Sequence, residues 1–223
     1  MIEIIPAIIP QDLDEIRKKF GRVLGLAKKV QVDILDGQYA PVKSWPFIEK
    51  NSDDLFKMAK GELKFPFIDE FLVQIDLMVL HPVEYLNDFI SLGAKSFVIH
   101  IDSTNHIREC LSMIKGLDCK VGLGIKPSVD TALLEPFMEQ IDFVQFMGND
   151  KIGYNGVELD NSVINKIKYF HHKNREMPIQ IDIGVSEETI PILKSIGVTS
   201  FISCSAIFNS LDPEESFKKM QNL

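Results

Sequence analysis

Apolar runs of six to eight residues recur along the 223-residue chain, and the stretches between them carry apolar residues at three- and four-residue spacing. The runs are IEIIPAII (2–9), VQVDIL (30–35), FLVQIDLM (71–78), SFVIHI (96–101), KVGLGI (120–125), DFVQFM (142–147), PIQIDI (178–183) and TSFISC (199–204). They are β-branched and short, as buried parallel strands are. The intervening helical patterns cover 12–27, 52–60, 82–93, 106–117, 131–140, 161–173, 186–197 and 212–221. Several open on Asp, Asn, Ser or Pro and several close on Gly, which start and stop helices. Strands alternating with helices predict βαβ units, and eight of them fit a closed (β/α)8 TIM barrel filling one domain, 1–223. An open doubly wound sheet is the rival, but no G-x-G-x-x-G follows the first run. One connection, 37–70, is long and aromatic, with WPF (45–47) and FPFIDEF (65–71). It is expected to be a lid, a subunit contact or simply a packed loop.

Within these runs a motif repeats. [VI]-Q-[VI]-D occurs at 30–33, 73–76 and 179–182. Strand side chains alternate faces, so Gln and Asp two apart point the same way and their β-branched neighbours point the other. In a barrel this sends Gln31/Asp33, Gln74/Asp76 and Gln180/Asp182 into the lumen, with each Asp nearer the C-terminal mouth where barrel enzymes do chemistry. His100 and Asp102 follow the same spacing, so Asp102 is a candidate fourth acid. Carboxylates crowded together repel, which either keeps protons on them or draws in a cation. A single Asp in this setting would more often bond loop amides. Three in matched positions point to a site.

Composition narrows the partners. The chain carries 24 Lys and Arg against 32 Asp and Glu, a net charge of −8, with no basic cluster. Nucleic acid and anionic membranes are therefore not expected partners, and an anionic substrate must be held by local donors. The start, MIEIIPAIIP, lacks the basic region of a signal peptide, and no run nears the roughly 20 apolar residues of a membrane span. Cys110, Cys119 and Cys204 form neither a disulfide framework nor a zinc spacing. A reduced, cytoplasmic protein is expected.

The motifs taken in order resemble the ribulose-phosphate 3-epimerase family. IIPAIIPQD (4–12) is similar to its I-A-P-S-I-L-x-x-D opening, VDILDGQYAP (32–41) to V-D-V-M-D-G-x-[FY]-V-P, and DLMV (76–79) to H-L-M-V. KVGLGIKPSV (120–129), GYNG (153–156), IDIGV (181–185) and SAIF (205–208) resemble the segments that follow. The resemblance implies a (β/α)8 barrel of the ribulose-phosphate-binding type. It also implies an isomerase that interconverts ribulose 5-phosphate and xylulose 5-phosphate, or a related ketose phosphate. Two Asp on opposite faces of the substrate move the proton and a metal stabilises the enediolate. By position Asp33 and Asp182 are the catalytic pair. Asp33, Asp76, Asp182 and Gln31 form the metal set. Met78, Met147, Gly153, Tyr154, Asn155, Gly156, Gly184 and Ser205 contact the sugar phosphate, with Lys126 in a supporting role. No organic cofactor is implied, and a homo-oligomer is.

The departures from that pattern carry chemistry. Gln31 and Asp76 stand where the family places its two metal-binding His, leaving an all-oxygen donor set. Oxygen donors favour Mg or Mn over Zn or Fe. Asn155, Ile183 and Cys204 replace family glycines and Ala7 a serine. The alternative is therefore a catalytically inactive relative that binds a phosphorylated metabolite or serves in assembly. Decarboxylation of the orotidine-monophosphate type needs D-x-K-x-x-D, and DLMVLH (76–81) lacks it.

Overall fold

The computed structural model describes residues 2–223, Ser52 by its backbone only. Eight strands, β1 (Glu3–Ile8), β2 (Lys29–Leu35), β3 (Leu72–Met78), β4 (Ser96–His100), β5 (Lys120–Ile125), β6 (Phe143–Met147), β7 (Ile179–Asp182) and β8 (Ser200–Ser203), close into a barrel in sequence order. Every neighbouring pair is parallel, including β8 with β1. Register sets Gln31 beside Gln74 and Asp33 beside Asp76 on β2 and β3, and Gln145 beside Gln180 on β6 and β7. All eight apolar runs are strands.

The helices are α1 (Leu13–Gly21), α2 (Ser52–Ala59), α3 (Leu86–Ser91), α4 (Ile107–Gly116), α5 (Asn161–Lys173), α6 (Thr189–Ser195), α7 (Ser205–Phe208) and α8 (Pro213–Gln221). Local chemistry starts several of them. Asp12, Asp160 and Asp212 accept first-turn N–H groups, and Pro213 takes the first helical position of α8, where its missing donor costs nothing. The pattern at 131–140 folds instead as a 3-10 helix, Thr131–Phe137, with Pro136 inside it. A proline cannot supply the amide an α-helix needs there. The four-residue α7 was too short for periodicity to reveal. None of these helices is long and apolar enough to cross a membrane.

The alternation in the strands divides the interior. Val32, Ile75, Leu77, Phe97, Ile99, Leu123, Phe146 and Phe201 face outward and are buried against Ile16, Phe20, Phe89, Ile114, Ile167 and Phe170 of the helical layer. Burial of each such side chain is worth roughly 1.5–3 kcal/mol. Inside the barrel, Ile5, Ala7 and Ile202 make the β8–β1 side apolar. Gln31, Asp33, Gln74, Asp76, Ser96, His100, Gln145 and Gln180 bring polar groups into the barrel, and all are buried. β5 contributes Gly124, where an added Cβ would lie 3.0 Å from His100 Nδ1, so its bareness admits the imidazole.

The 37–70 connection is chiefly a packed segment. Trp45 is fully buried and stands edge-on to Phe65 and Phe89, while its Nε1 donates to Asp54 Oδ2 at 2.7 Å. Its first residues reach the barrel mouth. Asp36 accepts from the N–H groups of Gln38, Tyr39 and Leu80 at 2.8–3.0 Å, and Ser44 Oγ donates to Asp33 O at 2.8 Å. Asp36, the second acid of VDILDGQYAP (32–41), therefore builds the loop that carries Tyr39.

Candidate active site

Three carboxylates meet at the C-terminal mouth. Asp33, Asp76 and Asp182 each offer an oxygen within 4.8 Å of the others. They arrive on β2, β3 and β7 by the same two-residue alternation that buries the glutamines below them. Each has a neutral donor. Gln31 Nε2 donates to Asp33 Oδ1 at 2.8 Å and to Asp182 Oδ2 at 3.0 Å. Gln145 Nε2 donates to Asp76 Oδ2 at 2.7 Å, and His100 Nε2 lies 2.9 Å from Asp76 Oδ1. Ile183 N–H donates to Asp182 Oδ1 at 2.7 Å.

The electrostatics follow from crowding. Burial, then repulsion from Asp182 and Asp76, hold the Asp33 carboxyl well above the usual carboxylate range. Burial and then Asp76 push Asp182 up to about 7, with the Ile183 N–H and Gln31 pulling the other way. Burial is also what raises Cys204, to about 12, with Asp33 adding to it.

Above the acids opens a cavity of about 600 Å³. Asp33, Asp182, Met78, Met147, Gly153, Tyr154, Asn155, Gly156, Gly184 and Ser205 all line it. Asp76 and Gln31 are fully buried beneath. Met78 and Met147 line one wall and pack with Leu35, Ala40 and Ile152 in an apolar cluster. Among its lining residues the charged ones are Asp33, Glu158, Asp182 and Glu188, so an anion there must find backbone N–H groups and hydroxyls such as Ser186, Thr189 and Ser205. The backbone turns sharply beside Asp182. Ile183 and Gly184 both have φ of 74°, and a Cβ on Gly148 would lie 2.1 Å from Ile183 O. A β-branched residue in that region is strained.

Other residues lie elsewhere than expected. Asp102 leaves the triad: its two oxygens take Tyr39 Oη at 2.6 Å and Lys126 Nζ at 2.7 Å. Burial raises its carboxyl, but Lys126 and Tyr39 outweigh that and hold it below the usual range. Gln31 presents its NH2 to the acids and turns its oxygen to Gln74 Nε2 at 2.6 Å, so it does not offer the carbonyl expected of a ligand. His171 is half-buried with its ring over Gly197. His81 sits at the start of a 3-10 turn without capping it by its side chain. Gln145 escaped the sequence reading because its strand, FVQFM, has Met147 rather than Asp two residues on; a Gln inside an apolar strand was the available signal.

A divalent cation fits the triad by its chemistry. Three carboxylate oxygens suit a hard ion, and Gln145, His100 and the Ile183 N–H fix ligand orientation as outer donors do.

A closed parallel barrel with acids at its C-terminal mouth and a glycine-bordered cavity above them is a (β/α)8 enzyme barrel of the ribulose-phosphate-binding type. Solved structures share the fold: 3-hexulose-6-phosphate synthase from Salmonella typhimurium matches with a TM-score of 0.71 at 17% identity, covering 99% of this chain and 97% of that one. A ligand complex of KGPDC from Streptococcus mutans matches with a TM-score of 0.72 at 10% identity, covering 99% and 96%. Ribulose-phosphate 3-epimerase of Schizosaccharomyces pombe is 23% identical over 99% of this chain and 92% of its own length. That of Bacillus subtilis is 23% identical over 99% of both. The Ribulose-phosphate 3 epimerase family matches residues 3–208, and the chain belongs to that family.

Proposed function

We propose that this protein is a sugar-phosphate epimerase that inverts the carbon beside the ketone of a ketose phosphate, with ribulose 5-phosphate and xylulose 5-phosphate as the first pair to test. The observation that carries this is the pair Asp33, buried on β2, and Asp182, half-buried on β7, tied together by one Gln31 amide. Inversion needs an acid on one face of the substrate and a base on the other. Crowding serves that need: with both carboxyls raised, the pair can hold one proton between them near neutral pH, as coupled acids do. One carboxylate removes the carbon-bound proton while the other, protonated, delivers its own to the opposite face. In the reverse direction the roles exchange. Met78, Met147 and Leu35 keep water from the reacting carbon. Gly153, Tyr154, Asn155, Gly156, Gly184 and Ser205 border the phosphate end, with backbone N–H groups as the donors. Asp33, Asp76 and Asp182 would hold a divalent cation, Mg2+ or Mn2+ by the oxygen-only set. When bound, it supplies positive charge against the negative charge that develops as the proton leaves.

The test is solvent deuterium incorporation into D-ribulose 5-phosphate, followed by NMR with Mg2+ or Mn2+ present. Exchange in the parent, and its loss by at least about 100-fold in Asp33→Asn and Asp182→Asn, is expected. A second reading, binding without turnover, draws on the Gln31 NH2 where the family has an imidazole ligand. It predicts thermal stabilisation by the sugar phosphate with no exchange under either metal.

A further inference from the structure

Of the glutamines of the repeated Q-x-D only Gln31 touches the acids, yet all three form one hydrogen-bonded line across the lumen. Gln31 Oε1 accepts from Gln74 Nε2 at 2.6 Å. The same nitrogen donates to Gln180 Oε1 at 3.1 Å, and Gln74 Oε1 accepts from Ser96 Oγ at 2.9 Å. Gln31 and Gln74 are fully buried, and Ser96 and Gln180 nearly so. An amide has ends of equal shape and opposite character, so its neighbours decide which way it points. Gln31 Nε2 stands 2.8 Å from Asp33 Oδ1 and 3.0 Å from Asp182 Oδ2, so its NH2 faces the two acids and its oxygen requires a donor from below. Gln74 is that donor, and its own oxygen is left to the Ser96 hydroxyl. Turning Gln31 alone would set oxygen against carboxylate above and NH2 against NH2 below.

We propose that Gln74 is a positioning residue that acts through Gln31. It fixes the NH2 end of Gln31 against the two acids and keeps the Gln31 oxygen out of the metal-binding position. This rests on reading Asp33 and Asp182 as the proton-transfer pair. Without the Gln74 donor, Gln31 Oε1 is a buried acceptor with no partner, which is unfavourable. Turned over, that oxygen faces the two carboxyls of Asp33 and Asp182, an arrangement that a cation makes favourable. A side chain that never touches the metal position thus sets how strongly the position attracts metal.

The measurement is Mn2+ titration calorimetry on the full-length chain, parent against Gln74→Met, which keeps length and removes the donor. The variant is expected to bind Mn2+ about tenfold more tightly. Equal or weaker affinity in the folded variant overturns the proposal. Should Gln74→Met not fold, neutron diffraction on the parent decides. Deuterium on Gln31 Nε2 directed at both carboxylates and on Gln74 Nε2 directed at Gln31 supports the assignment; the Gln31 oxygen facing the acids overturns it. Neither measurement involves turnover. Absent deuterium exchange in the parent would count against the epimerase reading while leaving the amide line independently tested.

Discussion

Asp182 makes the metal-free protein's stability depend on pH in an unusual direction. Its carboxyl is raised from 3.8 to about 7 by burial and by Asp76. Below about pH 4 both the folded and the unfolded chain hold this proton. As the pH rises toward 7 the unfolded chain releases it and the folded chain keeps it. Folding then takes up a proton, so stability falls with rising pH across this window and levels off above it. At 1.36 kcal/mol per unit the shift corresponds to about 4 kcal/mol; the acid borders an open cavity and couples to two others, so about 2 kcal/mol is the expected size. Asp182→Asn removes the titration and keeps the shape. Asp102 and Asp142, both held below the usual range, impose the opposite slope at lower pH, but they are common to both proteins and cancel in the difference. Urea denaturation in EDTA from about pH 4 to 8 should show the variant gaining about 2 kcal/mol on the parent as pH rises. A flat difference, or one that moves against the variant, would refute the crowding argument.

Two further predictions concern the turn after β7. Gly148→Ala sets a Cβ 2.1 Å from the Ile183 carbonyl oxygen, which belongs to backbone and cannot step aside; it should cost about 2–3 kcal/mol in urea denaturation, and a loss below about 0.5 kcal/mol would show that the two loops are not in contact. Ile183→Gly relieves a β-branched residue at φ of 74°, a strain of about 1–2 kcal/mol that offsets the lost packing of a half-buried side chain, so the net change should stay under about 1 kcal/mol, with a cost above about 3 kcal/mol refuting the strain.

The barrel was legible because its signals are local. β-branched runs and capping acids recur within each βα unit, and a period of two in V-Q-V-D states which side chains share a face. That was enough to send Asp33, Asp76 and Asp182 inward and to the same end. Cross-strand partners were not legible, since they depend on the stagger of the closed barrel. Nothing near Gln145 says that it reaches Asp76 from β6, or that Tyr39 and Lys126 draw Asp102 away from the triad. Gln31 shows the limit most clearly. Residue type allowed either end of its amide to face the acids, and only the Gln74 donor below it decides.

Charge balance at the mouth leads to one more prediction. Asp33, Asp76 and Asp182 face the amides of Gln31 and Gln145, the His100 ring and a backbone N–H, while the nearby Lys126 is spent on Asp102. Up to three negative charges thus share a space of about 5 Å with no side-chain ammonium or guanidinium among their hydrogen-bond partners in the described residues. Without metal, burial and then this crowding keep protons on Asp33 and Asp182. A cation in the triad needs deprotonated ligands, so it competes with those protons. Binding of Mn2+ near pH 6.5 should therefore release about one proton, fewer as the pH climbs past the Asp182 value of about 7. Calorimetry in buffers of different ionisation enthalpy reads the number directly. Asp182→Asn should lower it along with the affinity. Mn2+ binding in the parent with no proton released at pH 6.5 would mean that the acids are already ionised, and the protons assigned to the pair would have to be withdrawn.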